Sequence, residues 1–206
     1  MIEMIGDSIT CGYGVLGAGP SCPFTADTET ETHAWGALAA RDLGAAHASI
    51  AYSGYGMVRN YDGNTTTTLP VVYKRTIADD AQSVWTFGYK PDVIVIALGT
   101  NDFAKGDPGQ PYIDAYIAFV QMLRTKFPAA FILIAMSPML DGTARTQLRA
   151  HLDIVAESFS DVHVRVVDIA AQLAADGLGC DYHPSEVTQA KLAAVLVTAI
   201  RGATGW

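Results

Sequence analysis

The sequence predicts an α/β fold in which helices cover a central parallel sheet. Short apolar segments alternate with amphipathic ones along the chain, which is typical of parallel strands joined by helices. The segment Asp92–Leu98 is an almost continuous apolar run, as expected for a central parallel strand that is buried on both faces. No repeat and no linker interrupts the 206 residues, so residues 1–206 are predicted to form a single domain.

The five strands are predicted from short apolar segments bounded by turn residues. In chain order they are Ile2–Ile5, His47–Tyr52, Asp92–Leu98, Phe131–Met136 and Val162–Ile169. The second segment ends in the glycine-rich turn Ser53–Gly56, and the fifth is rich in valine. Each segment is long enough for a strand and far too short to span a bilayer.

Four amphipathic segments are predicted to be helices. Their apolar side chains recur at helical spacing, and the segments are Trp35–Leu43, Ile113–Phe127, Leu148–Phe159 and Ser185–Ile200. Ser185 is the predicted N-cap of the last helix. The long segment Met57–Pro91 is weakly periodic and is predicted to be a functional loop, with some helix around Val71–Ala78.

Composition narrows the classes of partner. Half of the residues are hydrophobic and 17% are charged, which argues against a disordered chain. The formal net charge is -8, the isoelectric point is about 4.9, and no basic cluster occurs, which argues against nucleic acid or an anionic membrane surface as a partner. The segment Met1–Ile5 lacks the features of a signal peptide.

The three cysteines are Cys11, Cys22 and Cys180. They allow three different single disulfides or three reduced thiols, and the sequence leaves these alternatives open. No C-x-x-C pair or His/Cys cluster is present, so no metal is predicted.

Three polar motifs follow strands or precede a helix. Gly6-Asp7-Ser8 comes directly after the first strand, and Gly99-Thr100-Asn101-Asp102 comes directly after the third. Cys180-Asp181-Tyr182-His183-Pro184 precedes the last helix. Each motif taken alone also fits an ordinary cap, turn or structural histidine.

The combination of these motifs is more informative than any one of them. Ligands of open α/β sheets bind outside the carboxyl ends of the strands, so the loops of Ser8, Gly54, Asn101 and His183 are expected at one rim. Together they supply a nucleophile, a base, and backbone or amide donors for a developing oxyanion, which is the set that acyl transfer needs.

These motifs resemble a known superfamily. Gly6–Ser8, Gly54, Gly99–Asp102 and His183–Pro184 resemble, in order, the four sequence blocks of the SGNH (GDSL-like) hydrolases. The segments that look more narrowly like carbohydrate esterase family 2 are Ile5–Gly14, Ser53–Gly56, Arg59–Tyr61, Leu98–Phe103 and Gly179–Ser185. The resemblance implies a three-layer α/β/α, flavodoxin-like hydrolase domain that removes acetyl groups from plant polysaccharides such as xylan.

The resemblance also implies residue roles. Ser8 would attack the ester carbonyl, and His183 would take its proton. The oxyanion hole would consist of the Ser8 N–H, the Gly54 N–H and the Asn101 side chain. No cofactor is implied, and family analogy implies secretion.

Two features depart from the family pattern. Most superfamily members have an aspartate three residues before the histidine, where this chain has Cys180. Asp181 is the nearest carboxylate and is predicted to be the third catalytic residue, although a backbone carbonyl that orients His183 is the alternative left open. Family members usually carry a β-sandwich domain ahead of the hydrolase domain, and none is visible before Ser8.

The substrate prediction is an acetylated carbohydrate, which needs an aromatic platform. Tyr182, adjoining His183, is the first candidate, and the others are Tyr13, Tyr55, Tyr61 and Trp85. Two alternatives stay open: a GDSL-type lipase, lysophospholipase or thioesterase, and a carbohydrate-binding module on an inactive hydrolase fold. The sequence does not predict an oligomeric state.

Overall fold

A parallel sheet forms the centre of the molecule. The structure is a computed structural model that describes residues 1–160 and 163–206. Within these ranges the sheet has five strands: β1 (Ile2–Gly6), β2 (His47–Ala51), β3 (Val93–Ala97), β4 (Phe131–Ala135) and β5 (Val164–Val167). Their order across the sheet is β2-β1-β3-β4-β5, and all four neighbouring pairs are parallel. The predicted parallel sheet is therefore confirmed.

The strands lie where the sequence predicts them, with ends that differ by one or two residues. Val162, which the prediction assigns to the fifth strand, lies outside the described residues. Val93 to Ile96 of β3 have no exposed surface, in agreement with a strand that is covered on both faces. Burial of each such side chain stabilises the fold by about 1.5–3 kcal/mol.

In the described part of the chain, four longer α-helices form the outer layers, and three α-helices of one turn each lie in the loops. They are α1 (Ser8–Cys11), α2 (Trp35–Asp42), α3 (Leu69–Val72), α4 (Thr100–Phe103), α5 (Gln110–Lys126), α6 (Gly142–Glu157) and α7 (Glu186–Thr204). Short 3-10 turns occur at Ala26–Thr28, Glu31–His33, Ala174–Asp176 and Cys180–Tyr182. The four predicted long helices are confirmed, and the Ser185 hydroxyl caps α7 by accepting the Thr188 N–H.

The helix predicted around Val71–Ala78 is largely wrong. Only Leu69–Val72 is α-helical, and the chain then turns. The N–H groups of Thr76 and Ile77 donate to the carbonyl and the hydroxyl of Ser83, so they are not available for helical bonds. The chain instead forms a hairpin-like loop, in which Arg75 and Val84 make an antiparallel bridge.

Two pairs of helices cover the opposite faces of the sheet. Helix α2 packs with α7, and α5 packs with α6. A Cβ at Gly36 of α2 would lie 2.6 Å from the Met4 side chain, so α2 approaches the face that carries Met4. Glu3 points to the other face, where it accepts a hydrogen bond from Tyr73, whose ring contacts Phe119 of α5. The result is the expected three-layer α/β/α arrangement.

The sheet brings the motif loops to one edge. Gly6 at the end of β1 lies in register with Ala51 of β2 and with Ala97 of β3. The segments that follow these three residues therefore leave the sheet side by side. None of the helices among the described residues combines the length and the hydropathy that crossing a membrane requires.

Candidate active site

Ser8 lies in a tight turn at the carboxyl end of β1, at the first position of α1. The Asp7 side chain caps this helix by accepting the Ile9 N–H at 3.0 Å. A Cβ at Gly6 would lie 2.1 Å from the Thr10 hydroxyl, so the turn requires glycine there. The turn holds Ser8 at the sheet rim with 7% of its surface exposed.

The imidazole of His183 reaches the Ser8 hydroxyl. The distance from His183 Nε2 to Ser8 Oγ is 2.8 Å, although the two residues are 175 positions apart in the chain. His183 ends the turn before α7, and Ser8 follows β1, so the two motifs meet at the same edge of the sheet. This is the arrangement that a hydroxyl nucleophile and its general base require.

The other imidazole nitrogen faces backbone carbonyls. His183 Nδ1 lies 3.2 Å from the Cys180 carbonyl oxygen and 3.1 Å from the Asp181 carbonyl oxygen. A carbonyl oxygen only accepts hydrogen bonds, so Nδ1 carries the proton and donates it. The neutral imidazole then presents an unprotonated Nε2 to Ser8, which is the tautomer of a base.

The Asp181 carboxylate is not the group that orients His183. Asp181 Oδ2 accepts a hydrogen bond from the Tyr13 hydroxyl at 2.6 Å, and only the Asp181 backbone carbonyl faces the imidazole. The prediction that the Asp181 carboxylate is the third catalytic residue is therefore wrong, and the backbone carbonyl, which the sequence left open as the alternative, faces the imidazole. The physical reason is the backbone conformation of Asp181, which turns the carbonyl toward Nδ1.

That turn is strained. Asp181 and Tyr182 have φ angles of 49° and 63°, in the left-handed region that non-glycine residues rarely adopt. Such a residue costs about 1–3 kcal/mol, so the surrounding structure must hold it in place. The Asp181 N–H donates to the Cys22 carbonyl, the Tyr182 carbonyl accepts from Gln172, and a disulfide joins Cys22 to Cys180.

Three potential hydrogen-bond donors, one of them the N–H of Ser8 itself, lie in the loops that leave the sheet at the same edge. In the described parts of the chain, the N–H groups of Ser8 and Gly54 have no hydrogen-bond acceptor. Asn101 donates its side-chain amide to the Tyr55 carbonyl at 2.7 Å and approaches Asp7 Oδ2 at 3.4 Å. The predicted donors thus come from the loops after β1, β2 and β3.

Asp102 holds the loop that follows Gly54. Its carboxylate accepts the N–H groups of Met57, Val58 and Arg59 at 2.8–3.0 Å. Burial raises the pKa of Asp102, and these three hydrogen bonds oppose the rise. Asp102 is therefore a carboxylate that fixes this loop.

A comparison with protein families identifies this arrangement. The sequence model of the GDSL-like lipase/acylhydrolase family matches residues 4–191, which is most of the chain and includes every motif above. The chain belongs to this family.

Relatives of this GDSL-like chain include named esterases. It is 34% identical over its whole length to the cellulase/esterase CelE of Acetivibrio thermocellus, of which it covers 26%. It is 30% identical over its whole length to an acetylxylan esterase / glucomannan deacetylase of Cellvibrio japonicus, of which it covers 57%. The GDSL-like chain therefore spans about a quarter to somewhat over half of these curated relatives.

Solved structures agree with the fold. A family two carbohydrate esterase from Clostridium thermocellum, solved in complex with cellohexaose, matches with a TM-score of 0.95 at 34% identity. A carbohydrate esterase family 2 enzyme from Corynascus thermopiles matches with a TM-score of 0.90 at 36% identity. The GDSL-like domain is covered completely in both comparisons, and it covers 64% and 66% of those chains.

Burial, two carbonyl acceptors and one nearby charge set the pKa of His183 in this GDSL-like domain. The Tyr13 ring stacks on the imidazole with centroids 4.2 Å apart, and Phe24 stacks on the Tyr13 ring at 4.6 Å. Burial lowers the pKa of His183, while the two carbonyl acceptors and the charge of Asp181 act in the opposite direction. His183 is therefore neutral at neutral pH, as a general base must be.

Asp7 is the second buried carboxyl group beside Ser8. Burial raises the pKa of Asp7 to about 7, with a smaller contribution from the charge of Asp102. Its oxygens face the Ile9 N–H and the Asn101 amide. Asp7 thus caps α1 and contacts a potential oxyanion donor.

The aromatic platform candidates have different surroundings. Tyr182 and Tyr61 expose 63% and 67% of their surface, so their rings are accessible to a ligand. Tyr55 is partly buried and packs edge-on against Tyr52. Trp85 is partly buried and packs edge-on against the fully buried Tyr73, at the margin of the core.

Two contacts of the site, the disulfide and the position of Tyr13, were not predicted from the sequence. The disulfide joins Cys22 and Cys180, and Cys11 is free, a pairing that three cysteines in a sequence do not determine. Tyr13 contacts the imidazole and Asp181, whereas the sequence offers it only as a platform candidate. Among residues 1–160 and 163–206, no group of three or more His, Cys, Asp or Glu side chains forms a metal site.

Proposed function

We propose that this domain is a serine esterase that removes acetyl groups from acetylated carbohydrate. The observation that carries the proposal is the 2.8 Å contact between Ser8 Oγ and His183 Nε2, with Nδ1 held by two carbonyl oxygens. The names of the relatives, which are acetylxylan esterases, glucomannan deacetylases and family two carbohydrate esterases, support the substrate class.

The chemistry follows from the positions of these groups. Ser8 Oγ attacks the acetyl carbonyl carbon while His183 Nε2 takes the hydroxyl proton. The carbonyl oxygen becomes an oxyanion, which the N–H groups of Ser8 and Gly54 and the Asn101 amide stabilise. Collapse of this intermediate releases the sugar hydroxyl, which takes the proton from His183, and leaves an acetyl group on Ser8. Water then attacks the acetyl-enzyme with His183 again as base, and acetate leaves.

A series of p-nitrophenyl esters from acetate to decanoate tests the substrate class. We expect kcat/KM to be highest for acetate and to fall steeply beyond propionate, and we expect acetate release from acetylated xylan or glucomannan. A rate that rises with acyl length would instead support a lipase or thioesterase. Wild-type protein that binds glycan but hydrolyses no ester would support the binding-module alternative.

Asn101→Ala tests the oxyanion hole. We expect kcat to fall about 100- to 1,000-fold, because one of three oxyanion donors is lost, and KM to change little. The second amide hydrogen of Asn101 makes only the 3.4 Å contact with Asp7, so a substrate oxygen can replace that contact. Steady-state kinetics on p-nitrophenyl acetate measure the effect, with Gln121→Ala, an exposed amide on α5, as the control. A change confined to KM would contradict the assignment.

The pH dependence of kcat/KM tests the surroundings of His183. Only the neutral imidazole is a base, so activity should decline as the pH falls through the pKa of His183. Because burial lowers that pKa from its ordinary value of 6.5, the midpoint of the acid limb is expected below pH 6.5. Asp181→Asn should lower the midpoint slightly further and keep kcat within about fivefold, since the side chain does not contact the imidazole. A midpoint above 7, or a loss of activity of about 10⁴-fold in Asp181→Asn, would show that the carboxylate pairs with His183.

A further inference from the structure

A covalent cross-link joins the loop of His183 to the loop that follows α1. Cys22 and Cys180 form a disulfide with Cα atoms 4.7 Å apart and 158 positions between them in the chain. Cys180 is fully buried, and its carbonyl oxygen is one of the two that face His183 Nδ1. The cross-link thus attaches to a residue that contacts the imidazole.

The two loops are fitted closely around this bond. A Cβ at Gly17 would lie 2.2 Å from the Cys180 sulfur, and a Cβ at Gly179 would lie 2.2 Å from the Gly14 carbonyl oxygen. Only glycine at these positions lets the loops approach so closely. The Gly14 carbonyl also accepts the Cys180 N–H at 3.0 Å. Both loops therefore contribute to this contact, through closely approaching glycines and a backbone hydrogen bond as well as through the disulfide.

The direction of the acceptor oxygens depends on this contact. The carbonyls of Cys180 and Asp181 reach Nδ1 because Asp181 and Tyr182 adopt left-handed backbone conformations. A turn of this kind relaxes when its restraints are removed, and its carbonyls then rotate. The N–H bonds of Cys180 and Asp181 are the remaining backbone restraints from the facing loop, at 3.0 and 3.3 Å.

We propose that the Cys22–Cys180 disulfide is a positioning element for the catalytic imidazole. It fixes the Cys180 and Asp181 carbonyl oxygens against Nδ1, the task that the Asp181 carboxylate does not perform in this domain. The kinetic part of this proposal rests on the proposed esterase function. The structural part, which is the tautomer and orientation of His183, does not.

Nitrogen-15 NMR of the histidine side chains tests the structural part. In the wild type at about pH 8 we expect His183 to be almost entirely the Nδ1–H tautomer, with its signal assigned by its absence in His183→Gln. In Cys22→Ser we expect a mixture in which the Nε2–H tautomer is at least several-fold more populated. Cys11→Ser, which removes the free thiol, is the matched control and should retain the wild-type tautomer. A wild-type tautomer ratio in folded Cys22→Ser would overturn the proposal.

Kinetics test the functional part. A misplaced base slows chemistry rather than binding, so we expect Cys22→Ser to lower kcat about 10- to 100-fold with KM for p-nitrophenyl acetate nearly unchanged. Circular dichroism at the assay temperature verifies that the variant is folded. Unchanged kcat would contradict the proposal. If the wild type itself hydrolyses no ester, the proposed function fails, and the NMR result alone then decides the positioning role.

Reduction of the wild type provides a test that does not depend on a variant folding. A dithiol such as dithiothreitol transfers two electrons and two protons, becomes a cyclic disulfide, and converts Cys22 and Cys180 to thiols. Titratable thiols should rise from one to three per chain, and activity should fall in proportion. Activity that falls before the circular dichroism signal changes supports positioning. Activity that falls only with that signal, or that persists with three thiols, overturns it.

Discussion

Replacing Ser8 with alanine is expected to lower kcat for acetyl ester hydrolysis by at least about 10⁴-fold. The substitution removes the only atom in this arrangement that can form the acetyl-enzyme, so just the oxyanion donors and substrate binding remain. Initial rates on p-nitrophenyl acetate, with acetate release from acetylated xylan as a second readout, measure the loss. Binding of the glycan, measured by calorimetry, should persist because Ser8 is small and 7% exposed.

His183→Ala and the double variant Ser8→Ala/His183→Ala test whether the two residues act together. Ser8 and His183 act as one unit through their 2.8 Å contact, so the double variant should be within a few-fold of Ser8→Ala alone. His33→Ala, at an exposed histidine that contacts Glu186, is the matched control and should keep wild-type rates. Ester hydrolysis that survives in Ser8→Ala would refute the assignment of Ser8 as the nucleophile. A loss of kcat in the double variant equal to the product of the two single losses would show that Ser8 and His183 act independently.

Asp102→Ala is expected to lower the free energy of unfolding by about 3 kcal/mol or more. It leaves one buried N–H group, that of Met57, and two partly buried ones, those of Val58 and Arg59, without an acceptor. Each such loss costs about 1–3 kcal/mol, with the larger cost where the group is buried. Because this loop continues from Gly54, kcat should fall as well. Urea unfolding measured by fluorescence gives the stability change.

Two further variants separate the hydrogen bonds from the charge. Asp102→Asn keeps one acceptor oxygen and the side-chain volume, so its cost should lie between those of the wild type and Asp102→Ala. Asp62→Asn, an exposed carboxylate in the same segment, should change stability by less than about 0.5 kcal/mol. A loss below about 1 kcal/mol in Asp102→Ala would mean that water satisfies the three N–H groups.

The sequence was sufficient to predict the sheet and most of the residues that meet at its edge. A short, continuous apolar run such as residues 93–96 predicts a strand that is covered on both faces. Parallel neighbouring strands then place their carboxyl ends at the same edge of the sheet. The positions of Ser8, Gly54 and Asn101 after three adjacent strands follow from that rule. His183 could be placed at the same edge only through its motif, since no local pattern determines where the turn before α7 lies.

The details that the sequence did not determine depend on backbone conformation. Asp181 is the nearest carboxylate in sequence, but its positive φ turns the carbonyl rather than the side chain toward the imidazole. The pairing of Cys22 with Cys180 depends on which loops touch, which the spacing of three cysteines does not encode. The sequence predicts a helix around Val71–Ala78, but the N–H groups of Thr76 and Ile77 donate to Ser83, further along the chain, instead of to helical carbonyls.

The strand that precedes Ser8, β1, lies inside the sheet between β2 and β3, while the His183 imidazole precedes the last helix. A growing polypeptide therefore contains Ser8, the proposed nucleophile, early, but contains His183, the proposed base, only after all five strands have been synthesised. Contacts between such distant positions form slowly because a long loop must close first. Recovery of hydrolysis during refolding should consequently lag behind recovery of helical content, and nascent or truncated chains that lack residues beyond 182 should be inert however well the sheet has formed.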